Sequence, residues 1–544
     1  MYRFAVSTTA AARTRWFGLV AISLAVAIII ADSTIVNVSV PAIVDELGLT
    51  STQVQWVQES YTLVFGATIL VWGILADRIG RRRMLIIGIT VFTIASIAAA
   101  FAPSGDLLIL TRLLQGVGGA MVLPATLSLV NANFTGRDRG IAFAVWGSTI
   151  GGMAAVGPLL GGWLTTDFSW RWSFGINVPV GVLVVLGALA FVAESKGPRR
   201  RIDVLGAILT TIGFAGIVFG LIEGRTLGWW AVADPFVIGD WTWPFSLSPV
   251  PVSFAIAVVF LAAFVVRGIV LGRRGVDTLL DFSLFRISTF RDGSVVAAIV
   301  SFGEFGIILS LPLWLQNVNG LTALDTGLVL IALAAGSFLA SGFAGSMSGR
   351  IDPLVIVRIG LIAEIVGVAG IAVVVLPDAG WGWLVPLLFV YGFGVGLATA
   401  QLTGVVLQDV PPQQSGAGSG VQSTARQLGS ALGIALLGTV LFTATAAQLH
   451  DHLTQLELPD QVVTQITDAV VDSAGSAIPG LEATSADVHE AARAAFSVGT
   501  AGAAFTAAGG LALGLAATIT LGRDRRRTQA AAAAVPAPAD PASD

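Results

Sequence analysis

Fourteen long apolar runs constrain the fold of this chain more than any other feature. At about 1.5 Å per residue, a helix of about 18 to 25 residues crosses the roughly 30 Å hydrocarbon core of a bilayer. The runs lie near 16–40, 54–75, 84–102, 107–130, 140–164, 173–193, 203–222, 251–271, 294–313, 327–347, 354–376, 382–406, 417–442 and 497–521. Backbone amides in lipid must be satisfied within the segment, and barrel strands need only about ten residues. The sequence therefore predicts an all-α, polytopic membrane protein with 14 transmembrane helices.

The composition agrees with a membrane protein. Hydrophobic residues make up 55% of the 544 residues and charged residues only 11%, whereas soluble domains carry about 25% charged residues. The chain contains no cysteine, which excludes disulfides, thiolate metal sites and a cysteine nucleophile. It also lacks a Gly-x-x-x-x-Gly-Lys-Ser/Thr loop, the usual phosphate-binding loop of ATPases, so an ion gradient is the expected energy source.

Basic residues indicate the orientation of the helices. Most arginines, and the single lysine, fall at one side of the alternating runs, including 78–83, 196–201, 273–274 and 523–527. Short loops rich in Lys and Arg stay in the cytoplasm. We therefore expect a multi-pass protein of the bacterial inner (plasma) membrane with both termini cytoplasmic.

The basic stretches also divide the chain. Residues 1–200 form a predicted N-terminal six-helix bundle, and 201–292 contain two extra linking helices and a cytoplasmic connector. Residues 293–522 form a second six-helix bundle with an extracellular segment at 443–495, and 523–544 are a predicted disordered cytoplasmic tail. Paired halves around a midplane site are typical of secondary transporters.

Several motifs occur together. The turn after the second run contains Gly73, Asp77, Arg78, Gly80 and Arg81, and the fourth run contains Arg112, Gln115, Gly116 and Gly118. The first run contains the stretch from Asp32 to Asn37, followed by Pro41, and the fifth run contains Gly157-Pro158-Leu159-Leu160-Gly161-Gly162. After the fifth run come Trp170-Arg171-Trp172 with Asn177, Pro179 and Gly181. In this combination the chain resembles the major facilitator superfamily, and within it the fourteen-helix drug:proton antiporters of the EmrB/QacA group. The resemblance covers almost the whole chain. One departure is Met153, where the antiporter signature has glycine.

The resemblance implies a transporter rather than an enzyme. It implies a proton-coupled multidrug efflux protein that confers antibiotic resistance, works by alternating access and needs no cofactor beyond the proton gradient. Its partners would be lipophilic, often cationic small molecules, protons and membrane lipids, with no nucleic acid and no obligate protein partner. A dedicated exporter of an endogenous natural product or lipid would carry the same motifs. A non-transporting membrane sensor or scaffold is a third possibility.

Two motifs are candidates for conformational gating. Asp77 is able to pair with Arg78 or Arg81, and the resemblance implies that Asp77 and Arg78 stabilise the outward-facing state; the alternative is simple retention of positive charge in the cytoplasm. In the fifth run, Gly157, Gly161 and Gly162 permit close helix approach and Pro158 bends the helix. Plain tight packing is the alternative there, and the resemblance favours a pliable helix between the halves. Gly73, Gly80 and Arg81 complete the predicted gating set.

Ionisable residues inside spans are costly and mark functional candidates. Asp32 and Arg112 lie at comparable depth in the first and fourth runs. We expect them to meet in the central cavity, where Asp32 exchanges protons; a permanent structural ion pair is the alternative. Glu59 is either a second proton-coupling site or a snorkelling surface residue.

Three charged residues of the second half share a depth near the midplane: Glu304, Glu364 and Arg426. Because the resemblance places the ninth span on the cavity, we expect Glu304 to contact substrate and Glu364 to pair with Arg426. The alternative is that Glu304 pairs with Arg426 and touches no ligand. A carboxylate in an apolar cavity attracts lipophilic cations. Asn37 and Glu223 are further candidates for substrate binding.

The segment 443–495 has apolar residues at helical spacing, which predicts an amphipathic helix over the extracellular mouth or on the bilayer surface. It also holds the three histidines, His450, His452 and His489. Their spacing matches no recognised zinc pattern. No metal site is predicted.

Overall fold

The computed structural model describes residues 2–134, 136–197, 203–238, 241–276, 278–280, 282–347, 350–377, 380–410 and 415–533. The first half contains α1 (Tyr2–Leu47), α2 (Ser51–Ile79), α3 (Arg81–Ala100), α4 (Gly105–Asn133), α5 (Gly136–Asp167), α6 (Arg171–Gly175) and α7 (Asn177–Phe191). Helices α8 (Val204–Leu227) and α9 (Pro249–Arg273) follow, with the short antiparallel strands β1 (Val237–Ile238) and β2 (Trp241–Thr242) between them. The second half contains α10 (Ser288–Asn317), α11 (Ala323–Met347), α12 (Pro353–Val374), α13 (Leu384–Leu407), α14 (Ser415–Gln455), α15 (Asp460–Asp472), α16 (Ile478–Leu481) and α17 (Ala486–Ala533).

The helices confirm an all-α polytopic membrane protein. Within the described residues, 13 helices are long and apolar enough to cross a membrane. The predicted number of fourteen is not confirmed. The fifth predicted run, 140–164, falls in α5, a 32-residue helix that is not among the thirteen.

Two helix boundaries differ from the sequence-based expectation. Helix α1 begins at Tyr2, although its apolar run begins near residue 16. Helix α17 continues to Ala533, so the predicted disordered tail is helical over 523–533, and 534–544 lie outside the described residues. Hydropathy marks where lipid contact ends, whereas a helix continues as long as its residues favour it, as the alanines after residue 528 do.

The outer surface of the bundle is apolar. Large side chains with more than half of their surface exposed occur on peripheral helices, including Ile94, Leu183, Val258, Phe338 and Val373. Exposed apolar surface of this extent is unfavourable in water. These residues face the lipid.

Hydrogen bonds join the two halves near one end of the bundle. We call the end with the turn between α2 and α3 the basic face, and the other end the opposite face. Near the opposite face, Gln316 Nε2 of α10 donates to the Val38 carbonyl of α1 at 3.0 Å. The backbone N–H of Leu324 donates to Thr166 Oγ1 of α5 at 3.0 Å. One hydrophobic core runs through this end and includes both halves, whereas a separate core lies within the first half.

Candidate functional site

Asp32 and Arg112 form an ion pair inside the first half. Arg112 Nη1 lies 2.5 Å from Asp32 Oδ2, and the two residues are 0% and 2% exposed. Removing one partner of such a pair leaves an uncompensated buried charge, which costs about 3 to 5 kcal/mol. Each charge therefore depends on the other.

Polar side chains from two further helices complete this cluster. Asn177 Nδ2 donates to Asp32 Oδ1 at 2.7 Å, and Gln115 Nε2 donates to the same oxygen at 3.1 Å. Ser96 Oγ of α3 accepts from both amides, at 2.8 Å from Gln115 and 3.1 Å from Asn177. Both oxygens of Asp32 thus have partners, and a satisfied buried network is rigid.

Arg112 also has partners besides Asp32. Its Nε donates to the Val57 carbonyl of α2 at 3.0 Å, and its guanidinium lies 4.5 Å from the centre of the Tyr61 ring. The cluster therefore connects α1, α2, α3, α4 and α7. Sequence reasoning missed Ser96 as a member, although a serine within a long apolar run was the available signal.

The cluster does not line the space between the halves, so the prediction of a shared cavity position is wrong. From α1, the residues that reach that space are Thr34 and Asn37. Side chains two positions apart on an α-helix point in directions that differ by about 200°. Asp32 and Thr34 consequently lie on nearly opposite sides of α1.

A small apolar cavity lies between the halves. Its volume is about 60 Å³, and its lining residues are Thr34, Asn37, Pro158, Ile307, Ile308, Leu311, Leu330, Leu333, Ala334 and Leu388. Only Thr34 and Asn37 carry polar side chains. Pockets for drug-sized ligands measure about 300 to 1,000 Å³, so the halves must move apart to admit one.

The charged cluster of the second half is arranged differently from the expectation. Arg426 Nη2 lies 3.7 Å from Glu304 Oε2, and Arg426 Nε donates to Ser301 Oγ at 3.3 Å. Thr399 Oγ1 donates to Glu304 Oε1 at 3.3 Å. Glu304 is thus the partner of Arg426, as the alternative stated.

The predicted pair of Glu364 with Arg426 is wrong. Both carboxyl oxygens of Glu364 are buried and have no hydrogen-bond partner among the described residues. Helix α13 packs directly against this side chain, because a Cβ at Gly394 would lie 2.7 Å from Glu364 Cγ. Spacing along the chain does not give the direction in which the Glu364 side chain points around α12, which is why the predicted partner was wrong.

Burial also differs from the expectation within this cluster. The Glu304 side chain is 5% exposed, and the Arg426 side chain is 30% exposed. The carboxylate expected to face substrate is therefore covered. The accessible group is the guanidinium.

Glu59 is buried on the face of α2 that packs against α14. Its exposure is 0%, and neither carboxyl oxygen has a hydrogen-bond partner in the described part of the chain. On the same face of α2, a Cβ at Gly66 would lie 2.8 Å from Gln427 of α14, and Gln55 approaches Gly438. This position excludes a snorkelling surface residue.

Glu223 lies away from the cavity. Its Oε1 accepts from Trp56 Nε1 at 2.8 Å, which places it between α8 and α2. The predicted contact with substrate is not supported there, whereas Asn37 does line the cavity.

Helix α5 contacts both halves through its glycine motif. A Cβ at Gly157 would overlap Thr34, and one at Gly161 would lie 2.6 Å from the Ile35 carbonyl of α1. On its other side, a Cβ at Gly162 would overlap the backbone of Ala323 in α11. Absence of side chains lets helices approach closely in membranes.

Pro158 lies at the same junction. A Cβ at Gly327 of α11 would lie 2.6 Å from the Pro158 carbonyl. The motif thus holds α5 between α1 and α11.

The turn between α2 and α3 is bound to the end of the first half. Asp77 Oδ1 lies 2.8 Å from Arg81 Nη2, an i,i+4 pair, whereas Arg78 is exposed. The backbone N–H groups of Arg82 and Arg83 donate to the Glu194 carboxylate at 3.0 and 3.2 Å. An anion at a helix N-terminus is favourable. Arg81, not Arg78, is the partner of Asp77.

The two glycines of this turn differ. Gly80 has a φ of +130°, which favours glycine, and a Cβ there would lie 2.8 Å from the Glu194 carboxylate. A Cβ at Gly73 would meet only Pro124 Cβ at 3.5 Å, which is ordinary contact. The structure therefore requires glycine at position 80 and not at position 73.

The outer segment 443–495 is helical and covers the opposite face. It contains the end of α14, then α15 and α16, and its apolar residues Leu449, Leu453, Val463 and Val470 are buried. His489 Nδ1 lies 2.9 Å from the Ile478 carbonyl. Among the residues that the structure describes, no group of three or more His, Asp or Glu side chains is placed to hold a metal ion.

Comparisons with known proteins extend these observations. The sequence profile of the Major Facilitator Superfamily matches residues 22–434. The chain is 34% identical over 444 residues to the puromycin resistance protein Pur8 of Streptomyces alboniger, covering 80% of this chain and 84% of that one. It is 33% identical over 466 residues to the multidrug resistance protein Stp of Mycobacterium tuberculosis, covering 85% and 82%. It is also 33% identical over 446 residues to a probable actinorhodin transporter of Streptomyces coelicolor, covering 80% and 74%.

A solved structure has the same fold. The crystal structure of a bacterial homologue of the human lysosomal transporter Spinster, inward-facing and unoccupied, superposes with a TM-score of 0.63 at 16% sequence identity, covering 94% of this chain and 98% of that one. Two packed helical halves around an apolar cavity define a multi-pass membrane transporter, not an enzyme. The chain belongs to the Major Facilitator Superfamily.

Proposed function

We propose that this protein exports lipophilic small molecules across the bacterial inner membrane in exchange for protons. The basic face would be cytoplasmic, with both termini on that side. Relatives named for resistance to puromycin and for multidrug resistance support efflux as the direction, and the apolar lining of the cavity supports lipophilic substrates. The ionisable residues inside the spans support coupling to protons.

The observation that carries this proposal is the position of Glu59 between the halves. A buried carboxylate without a partner is costly when it is ionised, and protonation removes that cost. When the halves separate at the contact between α2 and α14, water would reach this carboxyl group and the proton would be free to leave. Proton occupancy would thereby be linked to which face is open.

Asp32 is the second proposed proton site. Its carboxylate has partners on both oxygens, so proton uptake there requires Arg112 to move away. Such a movement would shift α4 against α1. Asp32 would therefore respond to a conformational change within the first half, and Glu59 to a change between the halves.

Helix α5 would transmit motion between the halves. It packs against α1 through Gly157 and Gly161, and against α11 through Gly162. Alternating access requires such a contact to slide rather than separate. The turn at Gly80 would keep the first half rigid during that movement.

The test uses inside-out vesicles with an imposed pH gradient, to which a lipophilic probe is added. Neutral and charged probes are compared in wild type, Asp32→Asn, Glu59→Gln and the exposed control Glu482→Gln. Dissipation of the gradient by wild type and the control, and its loss in Glu59→Gln, is the expected result. Unchanged dissipation in both Asp32→Asn and Glu59→Gln would contradict the proposed coupling.

A dedicated exporter of an endogenous natural product is the second candidate. The similarity to a probable actinorhodin transporter favours it, because the named cargo of that relative is a single compound. Transport of one probe class to the exclusion of all others would support this reading. Transport of several unrelated probes would support multidrug efflux.

A further inference from the structure

Arg426 differs from the other charged residues in the middle of the spans. Five ionisable residues there are at most 4% exposed: Asp32, Glu59, Arg112, Glu304 and Glu364. The side chain of Arg426 is 30% exposed. The accessible charge at this depth, within the described residues, is therefore a cation.

Arg426 lies close to the apolar cavity. Its contacts are with Ser301 and Glu304 of α10, and Ile307 and Ile308 of the same helix line the cavity. Ile307 and Ile308 are three and four residues after Glu304, which is one turn of an α-helix, about 5 Å along its axis. The guanidinium is therefore within reach of a compound that extends from the cavity towards the basic face.

The pair with Glu304 leaves Arg426 able to bind an anion. A guanidinium has five N–H donors, and its contacts among the described residues are one at 3.3 Å to Ser301 and one at 3.7 Å to Glu304. Arginine binds carboxylates through two parallel hydrogen bonds where geometry permits. Glu304 is covered and also accepts from Thr399, so the exposed part of the pair is positive.

We propose that Arg426 is the charge that substrates meet between the halves, and that it selects lipophilic compounds bearing an ionised carboxylate, sulfonate or phenolate over lipophilic cations. The apolar lining binds the ring system without regard to charge. A cation would meet the guanidinium before Glu304 and be repelled. This inference rests on the proposed function and reverses the charge preference that the sequence predicts from Glu304.

Binding of a matched pair of probes to the purified full-length protein tests the inference. Anilinonaphthalene sulfonate and N-phenylnaphthylamine share a ring system and differ in the sulfonate. Their saturable binding is measured by fluorescence in wild type, Arg426→Gln and Arg426→Lys. Arg358→Gln is the matched control, because Arg358 is an arginine of the same half that bonds instead to Thr518 of α17.

The expected result is a loss of affinity for the sulfonate of about tenfold in Arg426→Gln, which corresponds to about 1.4 kcal/mol. Affinity for the neutral probe changes less than twofold, and Arg426→Lys and Arg358→Gln retain sulfonate binding. Because Arg426→Gln leaves Glu304 unpaired, the double variant Glu304→Gln/Arg426→Gln is included. It is expected to bind the sulfonate as weakly as Arg426→Gln and the neutral probe as tightly as wild type.

Equal weakening of both probes in the double variant would show a structural effect and overturn the inference. So would unchanged sulfonate binding in Arg426→Gln, or ethidium binding tighter than the sulfonate in wild type. Binding requires no gradient, so this outcome is separate from the vesicle experiment. Proton-driven transport with no dependence of sulfonate binding on Arg426 would leave the proposed function intact and reject only the charge preference.

Discussion

The two halves hold their buried charges in different ways. In the first half, Asp32 and Arg112 approach to 2.5 Å, and amide donors fill the remaining carboxylate positions. In the second half, Arg426 and Glu304 are 3.7 Å apart, and Glu364 has no hydrogen-bond partner among the described residues. The first cluster has a partner for each carboxylate oxygen, whereas the second retains unused hydrogen-bonding capacity. Charges at similar depth are therefore tightly paired in the first cluster and more loosely paired in the second.

The largest expected difference between the two clusters is the loss of stability when the arginine of each is replaced. Arg112→Gln leaves Asp32 buried without its cation, which costs about 3 to 5 kcal/mol. Arg426→Gln breaks a longer contact, and Glu304 keeps its hydrogen bond from Thr399, so we expect a smaller loss of about 1 to 3 kcal/mol. Thermal unfolding in detergent measures both. Equal shifts in Tm for the two variants would contradict the difference between the halves, and the double variant Asp32→Asn/Arg112→Gln should recover part of the lost stability.

Hydrogen bonds around the two carboxylates provide a smaller contrast. Asn177→Leu removes a donor at 2.7 Å from Asp32, and we expect destabilisation of about 1 to 3 kcal/mol because the bond is to a buried charge. Thr399→Val removes a donor at 3.3 Å from Glu304, for which we expect about 0.5 kcal/mol. Chemical unfolding of each purified variant checks these values. A loss of unfolding free energy in Thr399→Val as large as that in Asn177→Leu would show that the second cluster is as tightly organised as the first.

Replacement of an unpartnered carboxyl group should have the opposite sign. Glu364→Met removes two buried oxygens that make no hydrogen bond in the described part of the chain and keeps a similar volume. We expect a stabilisation of about 0 to 1 kcal/mol, since burying polar atoms without partners is unfavourable. The matched change Asp32→Asn should instead destabilise. A marked fall in Tm for Glu364→Met would indicate that this carboxyl group has a partner of structural importance.

Spacing along the chain predicts part of this arrangement of charges and leaves another part undetermined. Distance along the chain gives depth, so Asp32 and Arg112 were correctly expected at one level and the structure brings them together. Direction around a helix depends on packing, which is why Asp32 was placed in the cavity instead of Thr34. For the same reason Glu364 was paired with Arg426. The partner of Asp77 was among those named because Arg81 lies one turn away.

The smallest expected effect comes from a third charged pair, whose carboxylate, Asp472, lies outside the spans. Arg225 Nη1 lies 3.8 Å from Asp472 Oδ1 of α15, at the opposite face. Burial raises the pKa of Asp472, Arg225 opposes this rise, and Asp468 and Asp234 add to it. The folded state therefore binds this proton more tightly than the unfolded state.

The sign of the pH effect follows from that difference. As pH falls through the raised folded pKa of Asp472 towards its ordinary value, the folded state takes up the proton first, and stability rises. Asp472→Asn should lack this gain on acidification, while the exposed control Glu482→Gln should keep it. Tm measured between pH 7 and pH 4 in the three proteins checks the prediction. Because Asp472 is partly solvated, we expect a smaller change than for any buried carboxylate, and an equal response in wild type and Asp472→Asn would assign the pH dependence to other groups.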